Sequence, residues 1–286
     1  LETGAVSETG RKSLRSIKPS GARLALAALA LAATAAGCDR RDAAPVPAPA
    51  SALDADQAAG EAAYLAPPVV TRVVEVQGGA QLVEGRAPPV SQVQLASPDG
   101  EVARTRADAA GAWRLALPPA ERPRLYAVSA IAAGHVLHAE GALLLAPGAV
   151  SPAVTLRAGA AALPLSPSGG RLDIATVDYD PSGVLAAAGA APAGASVSLM
   201  VDGGPAARGQ ADAQGRYALL AAGRRLPLGP HRLTVMAAGR AASREVNLTP
   251  AAALTSPFAA ERLADGWRVE WAPTGGGVQT TLLPGR

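Results

Sequence analysis

The chain has 286 residues, with 26 Lys/Arg against 23 Asp/Glu and a formal net charge of +3. Residues 1–37 hold five of the basic and two of the acidic residues, so residues 38–286 carry 21 of each sign and are neutral, which excludes the polybasic footprint of a nucleic-acid binder. No lysine follows Lys18, which excludes Schiff-base and Ser–Lys chemistry beyond that point, and one cysteine, Cys38, excludes an intrachain disulfide. The amino-terminal segment runs from Arg11, Lys12, Arg15, Lys18 and Arg23 into the apolar stretch Leu24–Ala36. That stretch is shorter than the roughly 20 residues a membrane-crossing helix needs. A basic segment, an apolar segment and small residues at Thr34-Ala35-Ala36-Gly37 are the successive parts of a secretory signal, placed here over residues 1–37.

Cys38 directly after those small residues resembles the lipobox of bacterial lipoproteins. The resemblance implies cleavage before Cys38 and lipidation of its sulfur by a diacylglyceryl group, palmitate being a typical chain. It further implies a partner, the membrane, reached through that lipid. The location it implies is the bacterial cell membrane or outer membrane, with the protein facing the periplasm or the exterior. Residues 38–70 read as the attachment cysteine and a disordered linker. Alternating Pro and Ala at Pro45–Ala50 favours extended polyproline II. At ~3.1 Å per residue such a tether reaches up to roughly 100 Å. A short helix over Asp54–Leu65 is compatible with its composition.

The remainder contains an internal repeat. Gly85-Arg-Ala-Pro-Pro matches Gly189-Ala-Ala-Pro-Ala, and Val93–Gly100 matches Val197–Gly203. Asp108-Ala-Ala-Gly-Ala-Trp-Arg-Leu matches Asp212-Ala-Gln-Gly-Arg-Tyr-Ala-Leu, and Ala132-Ala-Gly matches Ala237-Ala-Gly. Val93 and Leu95, like Val197 and Leu199, alternate with polar residues at the period of a half-buried strand. Asp99-Gly100 and Asp202-Gly203 predict hairpin turns, and Asp108-x-x-Gly111 and Asp212-x-x-Gly215 predict second turns at the spacing of a sandwich. Trp113, Leu115, Leu117 and their counterparts Tyr217, Leu219 then share one strand face and predict core. Further strands are expected over Leu125–Ile131, Val136–Leu145, Val154–Arg157, Val184–Ala188, Arg232–Ala237 and Ser243–Leu248. Glycine and proline punctuate the sequence too often for the alanine content to mean helix.

The pattern Gly-x-Ala-x-Pro, Val-x-Leu, Asp-Gly, Asp-x-x-Gly-x-(Trp/Tyr)-x-Leu resembles bacterial immunoglobulin-like repeats, including the carboxypeptidase-regulatory and transthyretin-like β-sandwiches. The expected fold is therefore all-β: sandwich 1 over 71–158, a linker over 159–170, sandwich 2 over 171–250 and a C-terminal hairpin segment over 251–286. In that last segment Trp267, Val269 and Trp271 share a face, Arg268 and Glu270 the other, and Gly275-Gly-Gly277 turns the chain back.

Residue constellations for catalysis are sparse, and neither an enzyme nor a cofactor is expected. His135 and His138, three apart on a strand, point to opposite faces and chelate poorly, and no metal site is assigned. Asp178-Tyr-Asp180-Pro-Ser182-Gly183 partly resembles a calcium loop. Pro181 and the Gly189 at the twelfth position, where a bidentate Glu belongs, favour a polar turn instead. Trp267 and Trp271 are candidate ligand-contact aromatics, serving either as a sugar-stacking platform or as a buried anchor. These readings converge on a lipid-anchored, non-catalytic envelope protein that displays two Ig-like domains to an unidentified envelope protein or glycan. The alternative is a peptidoglycan- or carbohydrate-binding module.

Overall fold

A computed structural model describes residues 64–166 and 169–285. The expected signal 1–37, the attachment residue Cys38 and most of the expected linker lie outside the described residues. So does the helix considered over 54–65, apart from Tyr64 and Leu65, which are not helical.

The described chain is all-β and forms two tandem sandwiches. The first copy contains β1 (Val69–Glu75), β2 (Gln81–Arg86), β3 (Gln92–Ala96), β4 (Val102–Arg106), β5 (Ala112–Leu117), β6 (Arg124–Ala132) and β7 (His135–Leu145), followed by β8 (Ala153–Leu156) and β9 (Leu163–Pro164). The second contains β10 (Thr176–Tyr179), β11 (Val184–Ala190), β12 (Ser196–Val201), β13 (Gly204–Gln210), β14 (Arg216–Arg225), β15 (Gly229–Ala237) and β16 (Arg240–Leu248). It is followed by β17 (Phe258–Leu263), β18 (Gly266–Trp271) and β19 (Gln279–Pro284). The sheet orders are β1-β2-β5 and β4-β3-β6-β7-β8-β9 in the first sandwich, and β14-β11-β10-β19-β18-β17 and β13-β12-β15-β16 in the second. Strands β1–β7 and β10–β16 thus repeat one another in order and pairing.

Three boundaries differ from the sequence reading. Strand β1 starts at Val69, inside the expected linker, because Val69 and Val70 pair with Arg86 and Gly85. The expected linker 159–170 contains β9, which pairs with β8. The C-terminal segment is a three-stranded meander rather than a hairpin resting on a finished domain. Its last strand, β19, pairs with both β10 and β18 and so sits inside the sheet.

The repeat motifs have local physical causes. In each Asp-x-x-Gly turn the aspartate carboxylate accepts two backbone N–H groups. Asp108 takes those of Ala110 (2.8 Å) and Ala112 (2.9 Å), and Asp212 takes those of Gln214 (2.9 Å) and Arg216 (2.8 Å). The glycine supplies the left-handed backbone, with φ +78° at Gly111 and +73° at Gly215. The other motif glycines, Gly85 and Gly189, lie directly across the ladder from Trp113 and Tyr217. A Cβ at Gly85 would stand 2.2 Å from the Trp113 ring, and one at Gly189 2.9 Å from the Tyr217 hydroxyl and 2.3 Å from the Asp173 carbonyl oxygen. The glycine makes the bed on which the aromatic ring lies. Gly189→Ala is therefore expected to lower stability by about 2 kcal/mol, chiefly through displacement of the Asp173 backbone and with it Tyr217. Urea unfolding checks this, and an unchanged midpoint would mean that both move at no cost.

Each sandwich has its own core, and alternation along shared strands builds a third. Trp113, Leu117, Tyr126, Val128 and Leu143 pack in the first core, and Val177, Leu185, Leu199, Tyr217, Leu233 and Leu282 in the second. The third core joins Leu125, Leu144, Val154 and Leu156 of the first sandwich to Trp267, Val269, Trp271 and Leu283 of the second. Neighbours such as Leu143/Leu144 and Leu282/Leu283 thus face different cores, as strand geometry requires. The strands added to each repeat, β8–β9 on one and β17–β19 on the other, weld the two sandwiches together.

Candidate functional site

The densest buried polar cluster lies at this weld. Strand Thr176-Val177-Asp178-Tyr179 alternates, with Val177 and Tyr179 in the second core and Thr176 and Asp178 on the opposite face. Across the ladder, Asp178 pairs with Thr281. Asp178 is 2 % exposed. Its Oδ1 accepts the Thr281 hydroxyl at 2.6 Å, and its Oδ2 accepts the Ala162 N–H at 2.7 Å. The Thr176 hydroxyl donates to the Ala162 carbonyl at 2.8 Å. Gln279 accepts the Gly159 N–H at 3.0 Å and donates to the Ala160 carbonyl at 3.1 Å. Side chains of β10 and β19 therefore bind the backbone of residues 159–162, which connects the two repeats. Burial pushes the Asp178 carboxyl up to about 6, against the opposing pull of Thr281, the Ala162 N–H, Gln279 and Arg157.

Asp180, next on the candidate calcium loop, does not join this cluster. Its Oδ1 accepts the Ser182 N–H (2.8 Å), the Ser182 hydroxyl (2.6 Å) and the Val184 N–H (3.2 Å). Gly183 follows at φ +80°. This is the Asp-x-x-Gly turn again, a third instance, and the polar turn that the sequence favoured at this segment. Asp178 and Asp180 are thus split between an interface and a turn, and no group of three potential metal-ligating side chains occurs among the described residues.

The tryptophans are buried, at 7 % exposure for Trp267 and 5 % for Trp271. The Trp267 indole N–H donates to the Pro147 carbonyl at 2.8 Å, and the Arg262 guanidinium lies 4.8 Å from its ring centroid. A stacking platform needs an open ring face, whereas these rings fill the contact between sandwiches. On the other face of β18, Arg268 pairs with Glu270, which also accepts the Ala252 N–H at 3.1 Å.

The histidines are dispersed. His135 and His138 are exposed on β7. His231 is buried, with Nδ1 2.7 Å from the Asp202 carboxylate and Nε2 2.8 Å from the Pro227 carbonyl. Both neighbours are acceptors, so they favour the doubly protonated ring. Burial lowers its pKa, the hydrogen bonds to Asp202 and Pro227 raise it, and the net direction is upward.

The site residues missed by sequence reasoning are Thr176, Gln279 and Thr281. Their signal was polar residues on strands that also carry core residues, alternating in Thr176-Val177-Asp178-Tyr179 and consecutive in Gln279-Thr280-Thr281. Alternation of this kind reads as a solvent face until the second sandwich is placed against it.

No protein-family model matches the chain, and no curated protein matches it. Among solved structures it is similar to the BSP domain of a biofilm associated protein, at 12% identity, covering 66% of this chain and 30% of that one, with a TM-score of 0.24. It is similar also to the central fibronectin-III array of RIM-binding protein, at 13% identity, covering 74% of each chain, again with a TM-score of 0.24. The chain spans 30% of the length of the first of these. Likenesses this distant leave its activity and partners to the residues themselves.

Proposed function

We propose that this chain is a lipid-anchored, non-catalytic cell-envelope protein that holds two welded β-sandwiches away from a membrane for structural or protein-interaction roles. The observation that carries the non-catalytic part is the use made of its buried ionisable groups. Asp178 binds the inter-repeat backbone, His231 ties Asp202 to Pro227, and Glu270 binds Arg268 and the Ala252 N–H. Each has its hydrogen-bonding capacity spent on scaffold, where a catalytic acid or base needs a free position toward a substrate.

Anchoring rests on sequence. Cys38 follows a basic and apolar signal, and a Pro/Ala-rich stretch separates it from β1. Two or more acyl chains on one residue give stable attachment where a single chain does not. The test is metabolic labelling with an alkynyl fatty acid in the native host. Label is expected on the wild-type chain and absent from Cys38→Ala, with the variant moving from the detergent-soluble membrane fraction to the aqueous one. Equal labelling of both chains would remove the anchor.

A further inference from the structure

Strand β17 forms one edge of the second sandwich's six-stranded sheet. It pairs with β18 from Phe258↔Trp271 to Leu263↔Gly266 without a register shift. The bond from the Ala272 N–H to the Pro257 carbonyl (3.0 Å) sets the phase of this ladder. Residues 257, 259, 261 and 263 bond inward, so the N–H and C=O groups of Phe258, Ala260 and Arg262 point to the open edge. The Phe258 carbonyl accepts the Ser256 hydroxyl, and among the described residues Ala260 and Arg262 have no backbone partner on that side.

Two of the other edges are guarded. β13 carries Pro205, and β1 is bulged between Val70 and Arg72. Edge strands are ordinarily blunted by such devices because an open ladder recruits another strand. β17 has none at its centre, where Ala259 and Ala260 are exposed and small. Beside it runs an open groove of about 840 Å³, lined by Phe258, Ala260, Arg262 and Trp267 on one side and by Pro123 and Glu121 on the other. Side chains of an added strand have room there.

We propose that β17 is a self-association edge, occupied by β17 of a second copy of this chain in antiparallel register about a two-fold axis through Ala260. The occupant follows from complementarity. With Ala260 opposite Ala260, each Arg262, its guanidinium resting on Trp267 of its own chain, lies across from Phe258 of the other copy. Each Glu261 lies across from an Ala259 methyl. No like charges stand directly opposite, and the smallest side chains meet at the axis. The neighbouring in-phase registers are poorer: one sets Glu261 against Glu261, and the other carries Arg262 past the start of the partner strand, opposite Ser256. The two sheets then continue into one another through the dimer, as the symmetry of an isologous interface requires.

The experiment uses the full chain carrying Cys38→Ala, so that neither lipid nor thiol confuses association. Light scattering over a concentration series is expected to rise from the single-chain mass of 28.3 kDa to twice that value. Adding Ala260→Pro removes the edge N–H, breaks no bond to β18, and is expected to hold the mass at one chain with thermal unfolding unchanged. A second variant guards against misfolding of the first. A short bis-maleimide is expected to link copies of A260C in the same background, and to leave A241C, on the distant strand β16, as single chains. One-chain mass at every concentration, absence of a cross-link in A260C, or equal cross-linking of A260C and A241C would each overturn the proposal.

Discussion

Trp267→Ala is expected to cost about 3–5 kcal/mol and to split one unfolding transition into two. The cost comes from a large ring in a full core. Trp267 is buried against Leu144, Val154 and Leu283, donates to Pro147 and carries Arg262 on its face. Removing it leaves a cavity, an unpaired carbonyl and a cation without its ring. The splitting comes from topology. Each sandwich keeps its own core, so what is lost is specifically the coupling between them. Calorimetry or urea unfolding followed by circular dichroism checks both. A sugar platform would give the reverse: stability kept, glycan retention lost. A Trp267→Ala protein with an unchanged single transition would show that the third core contributes no coupling.

The second large effect is a dependence on pH with a defined sign. Asp178 ionises near 6 in the folded chain against 3.8 in a model peptide, burial being the main cause. A folded-state pKa above the unfolded one means that the folded chain holds the proton more tightly. Its contribution is full below pH 3.8 and is lost as pH rises through about 6. The displacement corresponds to about 3 kcal/mol. Asp173, also raised by burial, adds with the same sign. Asp202 and Asp212, both lowered, act below that window, where their contribution is lost as pH falls. His231, raised, loses its contribution above 6.5. Asp178→Asn isolates one member of this set. Wild type is expected to lose about 3 kcal/mol between pH 4 and pH 7 that the variant does not lose, read from urea midpoints at each pH. Parallel curves for the two proteins would mean that Asp178 ionises as freely folded as unfolded.

The repeat was legible because its signals are local. An Asp-x-x-Gly turn satisfies its own N–H groups, and a glycine opposite an aromatic is set by one cross-strand pair. Residues such as Gly85, Trp113, Gly189 and Tyr217 therefore announce the ladder from sequence alone. The weld was not legible, because its partners lie far apart: Trp267 meets Pro147, Gln279 meets Gly159, and Asp178 meets Thr281. Nothing within a short window distinguishes a strand face that waits for another sandwich from one that meets water. The calcium-like loop, favoured from sequence as a polar turn, shows the same distinction. Alternating oxygens in Asp178 and Asp180 suggest convergence on one ion, but the strand ends between them and each turns to a different task.

The position of β19 bears on how the chain comes to be made. The strand that fills the middle of the second sheet, β19, lies some hundred residues after its neighbour β10. A chain made amino end first presents the second repeat with a gap at its centre until β19 follows. During that interval the edge of β10 stands bare, and the carboxyl of Asp178 faces no threonine. Closure at so large a separation is slow, and exposed edges in the interim invite pairing with strangers. Arrival of β19, rather than collapse of the second repeat on its own, is thus the step that closes the second sheet.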